Sequence, residues 1–467
     1  MSRRVVVVGG GVAGTTAALS LADRGWQVTL LERRPRLGGA AYSFERDGHP
    51  VDTGQHVLLR CYDAYREHLD RLDAAGSLRW QQRMCLPVLG ETGQSSRLRR
   101  SRLPWAPWHL APALLGYRLL PAAARARVAV AMAAMRRLDP EDAALDGHRL
   151  GQWLREHGQR PLETEAVWGL LTVAALNTDV ETASLALAVR VIRTALLEHP
   201  AAADVGVLRV PLSQVHDRAA RTALDRAGVR TQVRAPATGL ERRADGFRVH
   251  THTGETDADA VVVAVPHRHA AALVPAWAAP GRETWSRLGS SPIVNVHVRY
   301  DRPVTDLAFA ATLDPAVPWF FDRTEVVGGP GQYLATSLSA ADGAVAEPAR
   351  KLVARTTAAL ARLLPDAATA RVSDAFVTRE PHATFRQEAG TASFRPPAAT
   401  AVPGLVLAGA WTATGWPDTL EGAARSGLTA ADLLDGRVPA PTTSRRTRPT
   451  TRIATPTTPT TQEVVPR

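Results

Sequence analysis

Four consecutive valines, Val5 to Val8, begin a pattern that recurs along the chain: a short continuous apolar run, a glycine turn, then a stretch with helical periodicity. Residues 4 to 34 divide into "RVVVVGG", "GVAGTTAALSLADRG" and "WQVTLLERR". They predict a fully buried parallel strand, a helix and a second strand, a βαβ unit. The same texture returns from about 206 to 266, with a helix "LSQVHDRAARTALDRAG", a strand "VRTQVR", a hairpin "FRVHTHTGETDADA" and an apolar strand "VVVAVP". A third piece, "PGLVLAGAW" followed by "LEGAARSGLTAADLLDG", is again strand, turn and helix. The three pieces predict one doubly wound, Rossmann-like α/β domain, interrupted twice and built from 1–70, 206–270 and 401–436.

The interruptions differ from that domain and from each other. Residues 71–205 read as mostly helical, with "PAAARARVAVAMAAMRRL" and "ETASLALAVRVIRTALLEH" as amphipathic candidates, whereas 271–400 mix strands such as "IVNVHVRYD" and "QYLATSL" with the helix "EPARKLVARTTAALARLL". Together they predict a mixed α+β layer facing the substrate. The last segment, 437–467, is rich in threonine, proline and arginine and is expected to stay disordered, because it cannot bury enough apolar surface to order itself.

A hydrophobic content of 45% with 22% charged residues fits a globular chain with a real core. The formal charge of +11 is almost wholly arginine, with Lys351 the single lysine, and the last 31 residues raise it further. Compositional bias accounts for this better than a nucleic-acid partner does. The two cysteines, Cys61 and Cys85, define neither a disulfide framework nor a metal spacing, which fits a reducing cytoplasm. The N-terminal apolar run is interrupted by three glycines and differs from a signal peptide. No window is long enough to span a bilayer. The expectation is a protein of the cytoplasm, free or peripheral on the inner face of the membrane, with its oligomeric state left open.

Gly9, Gly11 and Gly14 form G-x-G-x-x-G between the first strand and the first helix, and Glu32 ends the next strand. The first glycine permits the tight turn, the second lets a pyrophosphate approach the backbone, the third allows close helix–sheet contact, and the acid can accept ribose hydroxyls. An acid at 32 also argues against a 2′-phosphate on that ribose. Gly38 and Gly39 then add a second backbone approach, which a simple nicotinamide site does not need.

With the stretch "GAWTATGWPDTLEGAARSG" at 409–427, this pattern resembles the FAD-dependent amine oxidases and carotenoid-type desaturases. Within that superfamily, "VDTGQHVLLRCYDAY" and "GWPDTLEGAARSGL" resemble the squalene-associated FAD-dependent desaturases, the family of hydroxysqualene dehydroxylases. The resemblance covers about 1 to 436 and implies FAD as cofactor. It places Gly9, Gly11, Val12, Ala13 and Gly14 at the pyrophosphate, Glu32 and Arg33 at the adenosine ribose, and Gly38, Gly39, Ala40 and Ala41 at the diphosphate and ribityl chain. Gly54, Gln55, His56 and Val57 would pass the isoalloxazine, and Val233 would meet the adenine through its backbone. Gly409 and Ala410 would lie by the pyrophosphate, Trp411 and Trp416 would either wall the flavin pocket or pack in the core, and Glu421, Gly422 and Ala423 would open a helix aimed at the flavin. Two positions depart from the family's habit of an arginine after the glycine doublet and an aspartate after the last strand: here they are Ala40 and Ala410.

Flavin amine oxidases of this fold usually place a lysine near the flavin and tyrosines before it. The strand "SSPIVNVHVRYD" has no lysine, and Tyr333 is the last tyrosine of the chain. An apolar substrate fits better. The stretch "RLRRSRLPWAPWHLAPALLGYRLLP" mixes arginines with Trp105 and Trp108, which reads either as a segment in a membrane interface or as a buried helical lid with a solvated arginine face. The resemblance implies an isoprenoid substrate, hydroxysqualene, reduced to squalene; carotenoid-type desaturation and, less well supported, amine oxidation are the alternatives. A hydroxyl leaves poorly without an acid, and the candidates are His56 and Asp418.

Overall fold

The structure, a computed structural model, describes residues 3–437. All but the first residue of the Thr/Pro/Arg-rich tail lies outside the described residues. The expected apolar strands form one five-stranded parallel sheet: β1 (Arg4–Val8), β2 (Gln27–Glu32), β3 (Arg230–Val233), β4 (Ala260–Val263) and β5 (Leu405–Leu407), in the order β3-β2-β1-β4-β5. β1 is the middle strand, covered on both faces, which is why its four valines are all buried and why its sequence does not alternate.

Helix α1 (Val12–Asp23) connects β1 to β2, and α2 (Leu420–Leu434) follows β5. The two helices pack together through Gly427, where a Cβ would stand 2.4 Å from the Ala13 carbonyl oxygen and 2.9 Å from the Thr16 Cβ. This close approach lays the middle of the last helix against the start of the first. Ala17, Ala18, Ala424, Ala430 and Ala431, all buried, continue the small-residue core around these helices.

The second layer is a seven-stranded sheet in the order Val372–Thr384, Ser291–Tyr300, Gln332–Leu338, Trp319–Asp322, Phe309–Thr312, Cys85–Leu89, Ser95–Arg99. Its last two strands add a hairpin to the otherwise mostly helical segment 71–205. Pro87 argues locally against a sheet strand, but the parallel partner Phe309–Thr312 meets only Val88 and Leu89, so Pro87 lies outside that ladder. The boundary near residue 205 is also displaced, because the strand Val205–Leu208 pairs with Val57–Leu59 and Leu78–Trp80 rather than joining the parallel sheet. The helices Leu185–Ile192 and Ala349–Leu363 form as their apolar periodicity predicts. Ala122–Met135 is a helix but not the amphipathic one expected, because alanines and Val130 also occupy the side opposite its buried face. Among the described residues, no helix is long and apolar enough to cross a membrane.

Candidate active site

A cavity of about 420 Å³ lies where the parallel-sheet unit meets the second layer. On the parallel-sheet side its wall is made by Gly11 and Val12 at the start of α1, by Gly38, Ala40 and Ala41, by the stretch Thr53 to Val57, and by Asp418, Thr419, Leu420 and Ala423 at the start of α2. The remaining wall is largely aliphatic and aromatic and includes Leu170, Leu171, Ile192, Leu196, Phe309 and Phe321. Two helix N-termini and a glycine doublet therefore face a greasy chamber. The first amides of a helix lack intrahelical acceptors and carry the positive end of its dipole, so this wall favours an anion or an electron-rich ring.

The glycines divide by what occupies the place of a Cβ. At Gly14 a Cβ would sit 1.9 Å from the Gly9 carbonyl oxygen, and at Gly9, where φ is +111°, it would sit 2.4 Å from that of Ala264. Those two positions are closed by the protein itself. Gly11 differs: its Cβ would meet only the Gly39 Cα, at 3.7 Å, and the residue borders the cavity. Gly38 donates to the Gly10 carbonyl at 2.8 Å, which ties the glycine doublet to the first turn. The Glu32 carboxylate accepts from the Gly10 amide at 2.8 Å and the Arg34 amide at 2.7 Å, so it braces both loops. Val233 lies opposite Glu32 in the register of β3 with β2. Arg33 is exposed, while Arg34 and Arg36 each donate to the Gly39 carbonyl, at 3.1 and 3.2 Å, next to the arginine-free position Ala40.

The C-terminal stretch is built differently from its sequence reading. Trp411 is a core residue, packed on Trp285 with ring centroids 5.1 Å apart and donating to the Val265 carbonyl. Its indole fills the space a Cβ at Gly409 would need, so that glycine serves protein packing. At Gly422 the Pro417 carbonyl takes the same space, and the Ala410 methyl lies against it. Trp416 stands edge-on behind Tyr62, which itself lines the cavity. The Glu421 carboxylate, fully buried, turns away from the cavity to accept from the Ala64 and Tyr65 amides at the start of the helix Asp63–Arg71, and Arg425 pairs with it at 2.6 Å. Of the residues expected at this helix start, Ala423 reaches the cavity.

Arg395 organises the whole turn. Its buried guanidinium donates to the carbonyls of Ala410, Thr412 and Trp416 and to the Thr414 hydroxyl, at 2.6 to 3.0 Å. No local pattern marks this arginine, because its acceptors lie 15 to 21 residues further along the chain. Asn177 was missed too, although its left-handed φ of +48° at the end of the helix Leu170–Leu176 suits asparagine.

Besides Tyr62, three titratable groups border the cavity. Burial pushes the Asp418 carboxyl up to about 6, against the Phe385 amide that donates to it at 2.9 Å and the nearby Arg395 charge, both of which pull it down. Burial lowers His56, with Asp52 opposing and Arg323 assisting, so its imidazole is a poor proton donor at neutral pH. Glu380, on the strand Val372–Thr384, is raised by burial and lowered by Arg34 and Arg36. Its position is visible only once that strand is paired. Lys351 is exposed on the helix Ala349–Leu363, away from the cavity wall.

A family model for flavin-containing amine oxidoreductases matches residues 12–434. The chain belongs to that family. It is an FAD-dependent oxidoreductase, and the uncapped start of α1, with Gly11 open toward the cavity, gives the dinucleotide a cradle that any side chain at that position would fill. This flavoprotein is 29% identical over 445 residues to a hydroxysqualene dehydroxylase of Rhodopseudomonas palustris, covering 93% of this chain and 99% of that one. It is 25% identical over 483 residues to a zeta-carotene desaturase of Synechocystis, covering 92% and 97%. A putrescine oxidase variant of solved structure shares the fold at a TM-score of 0.72 and 18% identity, covering 94% of this flavoprotein and 99% of that chain.

Proposed function

We propose that this flavoprotein reduces hydroxysqualene to squalene, in the supply of hopanoids or related triterpenoids. The observation that carries the reading is Asp418, a carboxylic acid held near pKa 6 on the wall of an otherwise largely apolar cavity. Polyene desaturation needs no acid for a leaving group, whereas removal of a hydroxyl does. The hydroxysqualene dehydroxylase relatives support the same reading.

When bound and reduced, the flavin supplies a hydride. Asp418 would give its proton to the substrate oxygen as the C–O bond breaks, so that the oxygen leaves as water and the carbon is left to be reduced. The Phe385 amide occupies Asp418 Oδ2, which leaves Oδ1 to carry the proton. Tyr62, Phe309 and Phe321 on the wall offer π faces to positive charge developing on carbon. Leu170, Leu171 and Ile192 exclude water from that carbon and favour an isoprenoid chain over a polar amine. Such a substrate partitions into lipid, so the reading puts the working enzyme at the cytoplasmic face of a membrane.

The test is product analysis. Purified holoenzyme, reduced without oxygen, is offered hydroxysqualene in one reaction and, after reoxidation, zeta-carotene or phytoene in another. Squalene from the first supports the reading; new double bonds in the second with hydroxysqualene untouched would replace it with desaturation.

A further inference from the structure

From Thr92 to Leu138 the chain contains nine arginines and no aspartate or glutamate. Within this stretch Trp105, Trp108 and Leu115 are 65%, 67% and 71% exposed. Their loop is ordered: the His109 amide donates to the Trp105 carbonyl and the Ser101 amide to the His109 carbonyl. The indoles therefore stand out on a fixed backbone. The helix Ala122–Met135 buries Ala124, Val128, Ala131 and Met135 on one side, and on the other exposes Ala122, Ala126, Ala129, Val130 and Ala133. A helix apolar on both sides has a second face that water does not favour. Arg125 donates to the Leu115 carbonyl and brings the helix and the loop side by side.

The charge around this face is one-sided. Arg83 feels the repulsion of Arg99, Arg100 and Arg102. Arg100 is committed inward, to Asp204 through two bonds of 2.6 and 2.8 Å, whereas Arg83, Arg99 and Arg102 make no ion pair among the described residues. Tryptophan beside arginine, with aliphatic side chains between, is the composition of a surface that settles among lipid headgroups.

We infer that this face docks on an anionic lipid bilayer, with Trp105, Trp108 and Leu115 in the headgroup boundary and Arg83, Arg99 and Arg102 at lipid phosphates. A second copy is a poor occupant, since it would set arginines against arginines. The face is also continuous with the cavity. Arg100 donates from its amide to the Met84 carbonyl at 3.1 Å, Leu98 pairs with Leu86, and both Met84 and Leu86 line the chamber. Ala131 and Met135, on the buried side of the helix, share a core cluster with Met84 and Leu196 of the same wall. One wall thus separates the lipid from the chamber. The inference rests on the functional reading only for what crosses that wall; docking is measured without substrate, so a failed turnover assay and a failed docking assay are distinct results.

The experiment is co-sedimentation of the full holoenzyme with vesicles of phosphatidylcholine alone and of phosphatidylcholine mixed with phosphatidylglycerol. Binding to the anionic vesicles with a blue shift of tryptophan emission is expected, and the Trp105→Ser/Trp108→Ser chain should bind about tenfold more weakly or worse. Trp277→Ser, which removes an indole that is 45% exposed elsewhere, should bind as the parent does. Arg99→Glu/Arg102→Glu should lose the preference for the anionic vesicles. The basic residues after 437 are common to every variant, so differences between them report the face. Quenching of parent tryptophan emission by brominated lipid provides a test that needs no variant. Binding that is equal in the double-tryptophan variant, absent in the parent, or replaced by a dimer that the double variant dissolves would overturn the inference.

Discussion

Arg395 donates to the carbonyl of Ala410 at 2.9 Å, at a position whose own side chain carries no charge. The same guanidinium holds Thr412, Thr414 and Trp416 and lies close enough to Asp418 to lower its pKa. The turn that carries the proposed acid is therefore fixed from its backbone by one buried cation. Replacing Arg395 with leucine should cost about 3 kcal/mol or more, because several acceptors lose a charged donor at once. Arg395→Lys keeps the charge without the fork and should fall between. Thermal unfolding of the three proteins checks the order.

Gly11 and Gly14 should respond in opposite ways to alanine. A methyl at 14 would meet the Gly9 carbonyl at 1.9 Å, so Gly14→Ala should unfold or severely weaken the protein. At Gly11 the methyl makes only an ordinary contact with Gly39 and φ is −78°, so Gly11→Ala should keep the parent's apoprotein stability. Its FAD affinity should nevertheless fall about tenfold or more, because the methyl enters the cradle. Flavin titration of the apoprotein, alongside its melting temperature, separates the two effects.

These two glycines also show what was legible in the sequence. The βαβ unit, the glycine signature and the interrupted domain could be read because strand burial and turn geometry are local and each leaves a residue pattern. The C-terminal stretch was recognised as part of the site, but Trp411, Gly409 and Glu421 are spent on Trp285, on packing and on the helix Asp63–Arg71. The partners of Trp411 and Glu421 are distant in sequence. Glu380 and Arg395 escaped for the same reason: an acid in a strand or an arginine among 54 others acquires meaning only when the sheet is paired and the turn closes. The strand Cys85–Leu89 left no clear pattern because it is short and its parallel partner, Phe309–Thr312, lies over 200 residues away.

Asp418→Asn should abolish the descending, high-pH limb of the pH profile. In the parent the proton must be present, so the reductive step should slow as pH rises through about 6. The asparagine variant should be slower by about a hundredfold or more at pH 5 and nearly independent of pH. Stability gives a second readout. The folded-state pKa is raised above the ordinary aspartate value, so the parent's stability relative to the variant is fully present at low pH and is lost as pH rises through about 6. Melting temperatures of both chains, taken between about pH 4 and about pH 8, should converge or cross in that window.

His56 and Glu380 provide the contrast. Burial keeps His56 neutral near pH 7, so His56→Gln should change the rate by only about severalfold and leave the pH profile in place. Glu380→Gln removes a second raised carboxyl from the wall. If Asp418 is the donor, the profile of Glu380→Gln keeps the parent's descending limb; pH profiles of both variants under single-turnover conditions check this.

The most direct measurement of the central claim is a single turnover. Holoenzyme reduced stoichiometrically without oxygen is mixed with hydroxysqualene, and flavin absorbance and squalene are followed together. The account predicts one squalene formed for each flavin oxidised, with the Asp418→Asn chain slow in both signals. Flavin that stays reduced in the presence of hydroxysqualene, with no squalene formed, would contradict it.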